Sequence, residues 1–144
     1  MAQPNFFVHN NNSFNPPPTI SKLPSLFHKI KSAYLIWCGF YQTLPKIHRY
    51  SLGQKIDNIF IEIMAAVATA SFLTPTKKPP YVETAVKKTD TLKILLMILW
   101  EAKSLENNKY LALSVKIDEI GRMLGGWKGQ LAKQNSPNIK AGEK

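Results

Sequence analysis

Few residues in this chain are placed to do covalent chemistry. His9, His28 and His48 are scattered, and none has a nucleophile or base at a spacing that would make it a catalytic partner. Cys38 is the only cysteine, which excludes an intrachain disulfide and a cysteine-based zinc site. Gly121 and Gly126 have the gap of a phosphate-cradling loop. Trp127, Lys128 and Gly129 then follow where such a loop needs Lys and Ser or Thr, and no strand pattern precedes it. Asp118 and Glu119 stand one turn before Arg122, where ion pairing accounts for them. The chain is therefore read as non-enzymatic, with no metal site and no cofactor.

The chemistry that the composition does support is anion binding. Nineteen Lys and Arg stand against nine Asp and Glu, a formal net charge of +10. No acidic residue occurs before Asp57, whereas Lys22, Lys29, Lys31, Lys46 and Arg49 do, with His28 and His48 among them. The region 74–88 and the last helical segment carry the rest of the excess. Side chains of this kind can follow a phosphate backbone with little sequence preference. Only Arg49 and Arg122 are arginines, and guanidinium offers a planar fork of donors that lysine lacks. Each is read either as a structural ion pair or as a phosphate or partner contact.

Helices must position these groups. At 144 residues, 44% apolar and 19% charged, the chain is one domain able to bury a core. Residues 1–20 hold no charge, five Asn and four Pro, with Phe6, Phe7 and Phe14 among them, and read as a disordered arm. Residues 134–144 read as a disordered tail. Between them four helical periodicities run. The first carries Leu23, Leu26, Phe27, Ile30, Tyr34, Trp37, Tyr41 and Leu44, and Pro45 stops it. The second, Ser51 to about Leu73, opens on Ser51 and Gln54 as a capping box. Thr74 to Pro80 is a proline-rich loop. The third runs from Tyr81 or Val82 to about Leu105–Asn107.

The fourth begins near Asn108 and has a heptad seam of Leu113, Ile117, Ile120, Leu124, Trp127 and Leu131. Long helices on short loops predict an all-α, up-down-up-down four-helix bundle over 21–133. Gly121, Gly125, Gly126 and Gly129 would each cost helix stability, so another backbone is expected to pack there, or the helix to bend or end near Gly125. From Leu92 to Trp100 only Lys93 is polar, more apolar surface than one bundle face needs. The apolar stretches are too short or too interrupted, by Asp57, Glu62 and Lys93, to span a membrane. A soluble protein in the cytoplasm is expected.

Pro45-Lys46-Ile47-His48-Arg49-Tyr50-Ser51-Leu52-Gly53 and Asp118-Glu119-Ile120-Gly121-Arg122-Met123-Leu124-Gly125-Gly126-Trp127, with the four-helix spacing, resemble the Avd-like four-helix-bundle proteins. These are the accessory variability determinants of diversity-generating retroelements. The likeness covers about 21–133. A sister family, encoded in ribosomal-RNA intervening sequences, shares the bundle. The resemblance implies a cytoplasmic, non-catalytic protein that forms a homopentameric ring. It also implies binding to the element's reverse transcriptase and to RNA or DNA during mutagenic copying. Lys46, Arg49, Lys55, Arg122 and Lys128 are the residues expected to meet nucleic acid or polymerase. The rival expectation is a structural or interaction module of the intervening-sequence type, without such partners.

Overall fold

A computed structural model describes residues 23–136. It contains helix α1 (Ser25–Tyr41), a single turn α2 (Lys46–Arg49), and the long helices α3 (Leu52–Ser71), α4 (Pro79–Glu101) and α5 (Asn107–Gln134). The expected arm at 1–20 and the part of the expected 134–144 tail beyond Ser136 lie outside the described residues; Gln134, expected in the tail, ends α5. Prolines set three helix starts: Pro24 precedes α1, Pro45 precedes α2, and Pro79 and Pro80 occupy the first turn of α4, where a missing N–H costs nothing.

Short links force successive long helices to run antiparallel, and the four close into a ring of neighbours: α1 on α3, α3 on α4, α4 on α5, and α5 back on α1. The chain is an all-α four-helix bundle, as the periodicities predict. The links 42–51 and 102–106 meet at one end. At the other, the 72–78 link meets the end of α5. There Asn135 Nδ2 donates to the Pro75 carbonyl at 2.9 Å. Pro24, Ser25, Leu26, Met123, Trp127 and Gln130 line an open groove of about 350 Å³ on the same side.

The core follows the helical spacing. Leu26, Ile30, Ala33 and Trp37 of α1 pack on Ile56, Ile59, Phe60, Ile63 and Val67 of α3, Leu92, Leu96 and Leu99 of α4, and Leu113, Ile117, Ile120 and Leu124 of α5. Phe60 lies between two α1 rings, with centroids 5.6 Å from Tyr34 and 6.4 Å from Trp37. Each of the Leu, Ile, Val and Phe side chains contributes about 1.5–3 kcal/mol by leaving water, so this layer dominates the stability. Interhelical ion pairs decorate the outside: Lys29–Glu119 at 3.1 Å, Lys88–Glu62 at 3.0 Å and Lys93–Asp118 at 3.7 Å. Being solvated, they add at most about 1 kcal/mol each.

Four local expectations need correction. Ser51 forms no capping box: its hydroxyl donates back to the Ile47 carbonyl at 3.2 Å, because it closes α2 before it opens α3. Asp118 does not pair with Arg122, since Lys93 on the neighbouring helix reaches it first, and Glu119 pairs with Lys29. Helix α5 neither ends nor breaks near Gly125 but continues to Gln134, held by Leu124 and Leu131, both buried. Among the described residues no backbone packs on its glycines: a Cβ at Gly125, Gly126 or Gly129 would meet nothing within 4 Å, and at Gly121 only the flexible end of Lys93 and, farther off, a Thr89 methyl.

Helix α4 ends in a Schellman motif, the Ser104 N–H donating to the Leu99 carbonyl and that of Lys103 to Trp100. Lys103 takes the left-handed position, φ 64°, where glycine is usual.

Candidate nucleic-acid interface

The segment from Gln42 to Lys55 carries Lys46, Arg49 and Lys55 and no carboxylate, while Glu101 and Glu106 stand at the same end of the bundle. Its geometry follows from the α2 turn. Lys46, Ile47 and Tyr50 are exposed along it, whereas His48 and Arg49 are half-buried against the bundle. The inward pair is half-buried and bonded. His48 Nδ1 lies 2.6 Å from Ser104 Oγ, tying the turn to the 102–106 link. Arg49 donates from Nε and Nη2 to the Leu44 carbonyl at 3.2 and 2.8 Å, and from Nη2 to Gln42 at 3.3 Å. Lys109 Nζ reaches across from α5 to Thr43 Oγ1 at 3.0 Å.

The expected contact residues are thus not equivalent. Lys46 and Lys55 are exposed, and among the described residues neither meets a carboxylate within ion-pair distance. Arg49 uses its fork on backbone carbonyls, which is the structural alternative with carbonyls in place of a carboxylate. Arg122 is exposed midway along α5. Lys128 stands near the opposite end, 3.9 Å from Glu83. With a rise of ~1.5 Å per residue, Lys128 is about 31 Å along α5 from Asn107, so the five do not form one patch. Lys46, Arg49 and Lys55 are brought together; Arg122 and Lys128 are not.

Sequence reasoning passed over Tyr50 and Ile47, which are 67% and 78% exposed beside these lysines. The available signal was their placement inside the Lys46–Ser51 string, one turn apart from basic neighbours. A second uncovered surface lies on α4. Leu92, Leu96 and Leu99 are buried, whereas Ile94 is 53% exposed and Met97, Ile98 and Trp100 also reach solvent. Trp100 stacks on Tyr110 with centroids 5.1 Å apart, and its indole N–H donates to Asn107 Oδ1.

On α1, half-buried Tyr34 has its phenol pushed well above its ordinary pKa, first by burial and then by the neighbouring Cys38 and the Asp57 carboxylate. Among the described residues no three His, Cys, Asp or Glu side chains converge on a point that could hold a metal, and no helix is long and apolar enough to cross a membrane.

The family model described as bAvd-like matches residues 28–131, most of the chain and all four long helices in whole or large part. No curated protein and no solved structure gives a significant match.

Proposed function

Because the chain belongs to the bAvd-like family, we propose that it is a non-enzymatic accessory protein of a diversity-generating retroelement. In this reading it works in the cytoplasm, binding the element's reverse transcriptase and its RNA or DNA to support mutagenic copying. The observation that supports the nucleic-acid part is the 42–55 segment, where Lys46 and Lys55 are exposed and meet no carboxylate among the described residues, on a chain of net charge +10. Cations free of local pairing can replace the counterions of a phosphate backbone, the general source of such affinity.

The uncovered face of α4 supports a homo-oligomer, and the proposal is a ring of five. Ile94, Met97 and Ile98 project away from a core already filled by Leu92, Leu96 and Leu99, so a repeated contact with a second copy would remove them from water.

The test is co-purification with the reverse transcriptase of the same element, together with RNA affinity measured over a salt series. The expected result is a stable complex and a log–log affinity slope of several units. Light scattering should give about five times 16.3 kDa. No complex and a flat salt dependence would leave a structural bundle of the intervening-sequence type.

A further inference from the structure

An exposed tyrosine is ordinary; one whose ring is held from behind at a basic end is not. Tyr50 follows the last residue of α2, and the guanidinium carbon of Arg49 lies 5.9 Å from its ring centroid. Arg49 is itself fixed by its bonds to the Leu44 and Gln42 carbonyls, and the turn is tied by His48 to Ser104. The ring thus has a charged backing on one side, and with 67% of the residue exposed much of the remainder faces water. Lys46 lies one turn before it and Lys55 in the first turn of α3 after it, both exposed. The arrangement is an aromatic face backed by Arg49 and flanked by two cations that meet no carboxylate among the described residues.

We propose that Tyr50 is a stacking platform for an unpaired base, with Lys46 and Lys55 on the adjoining phosphates, so that this end prefers single-stranded over duplex nucleic acid. The proposal rests on the nucleic-acid reading of the same end and deepens it. In a duplex the bases are already stacked and paired, so only the lysines could engage. In a single strand a base can turn onto the ring, and any base will serve because each has a π face. The arrangement also gives Arg49 a role beyond its bonds to the carbonyls: it positions Tyr50 rather than touching phosphate.

The experiment is fluorescence anisotropy with a labelled single strand of oligouridine and a duplex RNA of equal length, each over a salt series. Wild type is compared with Tyr50→Ala, Tyr50→Phe and the double variant Lys46→Glu with Lys55→Glu. Wild type should favour the single strand. Tyr50→Ala should weaken single-strand binding about tenfold, leaving duplex affinity and the salt slope unchanged, and Tyr50→Phe should retain binding. The lysine double variant should instead flatten the salt slope on both ligands by about two units.

Unchanged single-strand affinity in Tyr50→Ala, or an equal loss on both ligands, would overturn the stacking role while leaving nucleic-acid binding intact. Wild type binding neither ligand would overturn the underlying reading as well. A fall in mass for Tyr50→Ala would make Tyr50 a subunit contact, which also overturns the platform.

Discussion

Replacing Gly125, Gly126 and Gly129 together by alanine should stabilise the fold, although all three lie in a segment that reads like a motif. Each sits in the interior of α5, where glycine costs about 0.8–1 kcal/mol relative to alanine through backbone entropy. The usual reason to keep a helical glycine is a neighbour too close to admit a Cβ, and here a Cβ would meet nothing within 4 Å at any of the three. Summed, the gain is about 2–3 kcal/mol. With a urea m-value of about 2 kcal/mol per molar, the unfolding midpoint should rise by roughly 1 M or more at unchanged slope.

Gly53→Ala is the matched control with the opposite sign. Its Cβ would lie 2.9 Å from Leu44 Cδ1 and 3.1 Å from both the His48 carbonyl oxygen and Tyr41 Cε1. The backbone oxygen cannot yield as a side chain can, and overpacking of this kind costs about 1–3 kcal/mol. The assay is urea unfolding followed by circular dichroism at one fixed protein concentration, with mass measured alongside. A lower midpoint for the triple variant would mean that the outer face of α5 is occupied in solution, and the inference from open space would be wrong.

Other perturbations follow from the same geometry. Lys103→Gly relieves a left-handed lysine in the Schellman turn and should raise stability by about 1 kcal/mol, read as a higher melting temperature; a decrease would refute the strain. Met97→Glu should keep helix content but lower the mass in light scattering, whereas Leu96→Asp, at a position 1% exposed, should unfold the protomer; equal behaviour of the two would contradict the assignment of α4's faces. Arg49→Lys loses the forked bond to the Leu44 carbonyl and should cost about 1 kcal/mol in thermal unfolding, with no effect expected if the fork is idle. Tyr34, whose raised pKa favours the neutral phenol in the fold, should lend stability that is intact below its ordinary pKa of 10.0 and lost as pH rises above it. Tyr34→Phe should remove that alkaline loss, and a titration at 295 nm in which all tyrosines ionise together near 10 would disprove the shift.

How much was legible in the sequence depended on whether the cause was local. The α5 seam was readable because burial recurs with the helix: Leu113, Ile117, Ile120, Leu124 and Leu131 are all buried, and Trp127 is half-buried beside the groove and under Lys78, 5.8 Å from its ring. The α2 turn was not readable as a helix, since four residues are too few to show a period. The Asp118–Arg122 pairing failed because spacing within one helix cannot reveal Lys93 on the next. Glycine propensity misled for a related reason: packing of Leu124 and Leu131 holds α5 straight through a stretch that would fray alone. At the candidate interface the sequence located the basic residues. What it could not show was that Arg49 turns inward to the Leu44 and Gln42 carbonyls while Tyr50 faces out.

The described chain enters α1 and leaves α5 at the same end of the bundle, Pro24 and Gln130 lining one groove there. Helix α3, with 20 residues and a rise of ~1.5 Å each, puts Tyr50 about 30 Å away along the axis. A fluorophore or surface tether attached at Ser25 or Gln134, the outer residues of α1 and α5, would therefore sit at the far end of the bundle from the lysine and tyrosine end. The same closeness suits a circular permutant. Joining Ser136 to Leu23 with a short flexible linker and opening the chain between Lys103 and Glu106 would leave every long helix unbroken, with the new ends beside the surface to be probed.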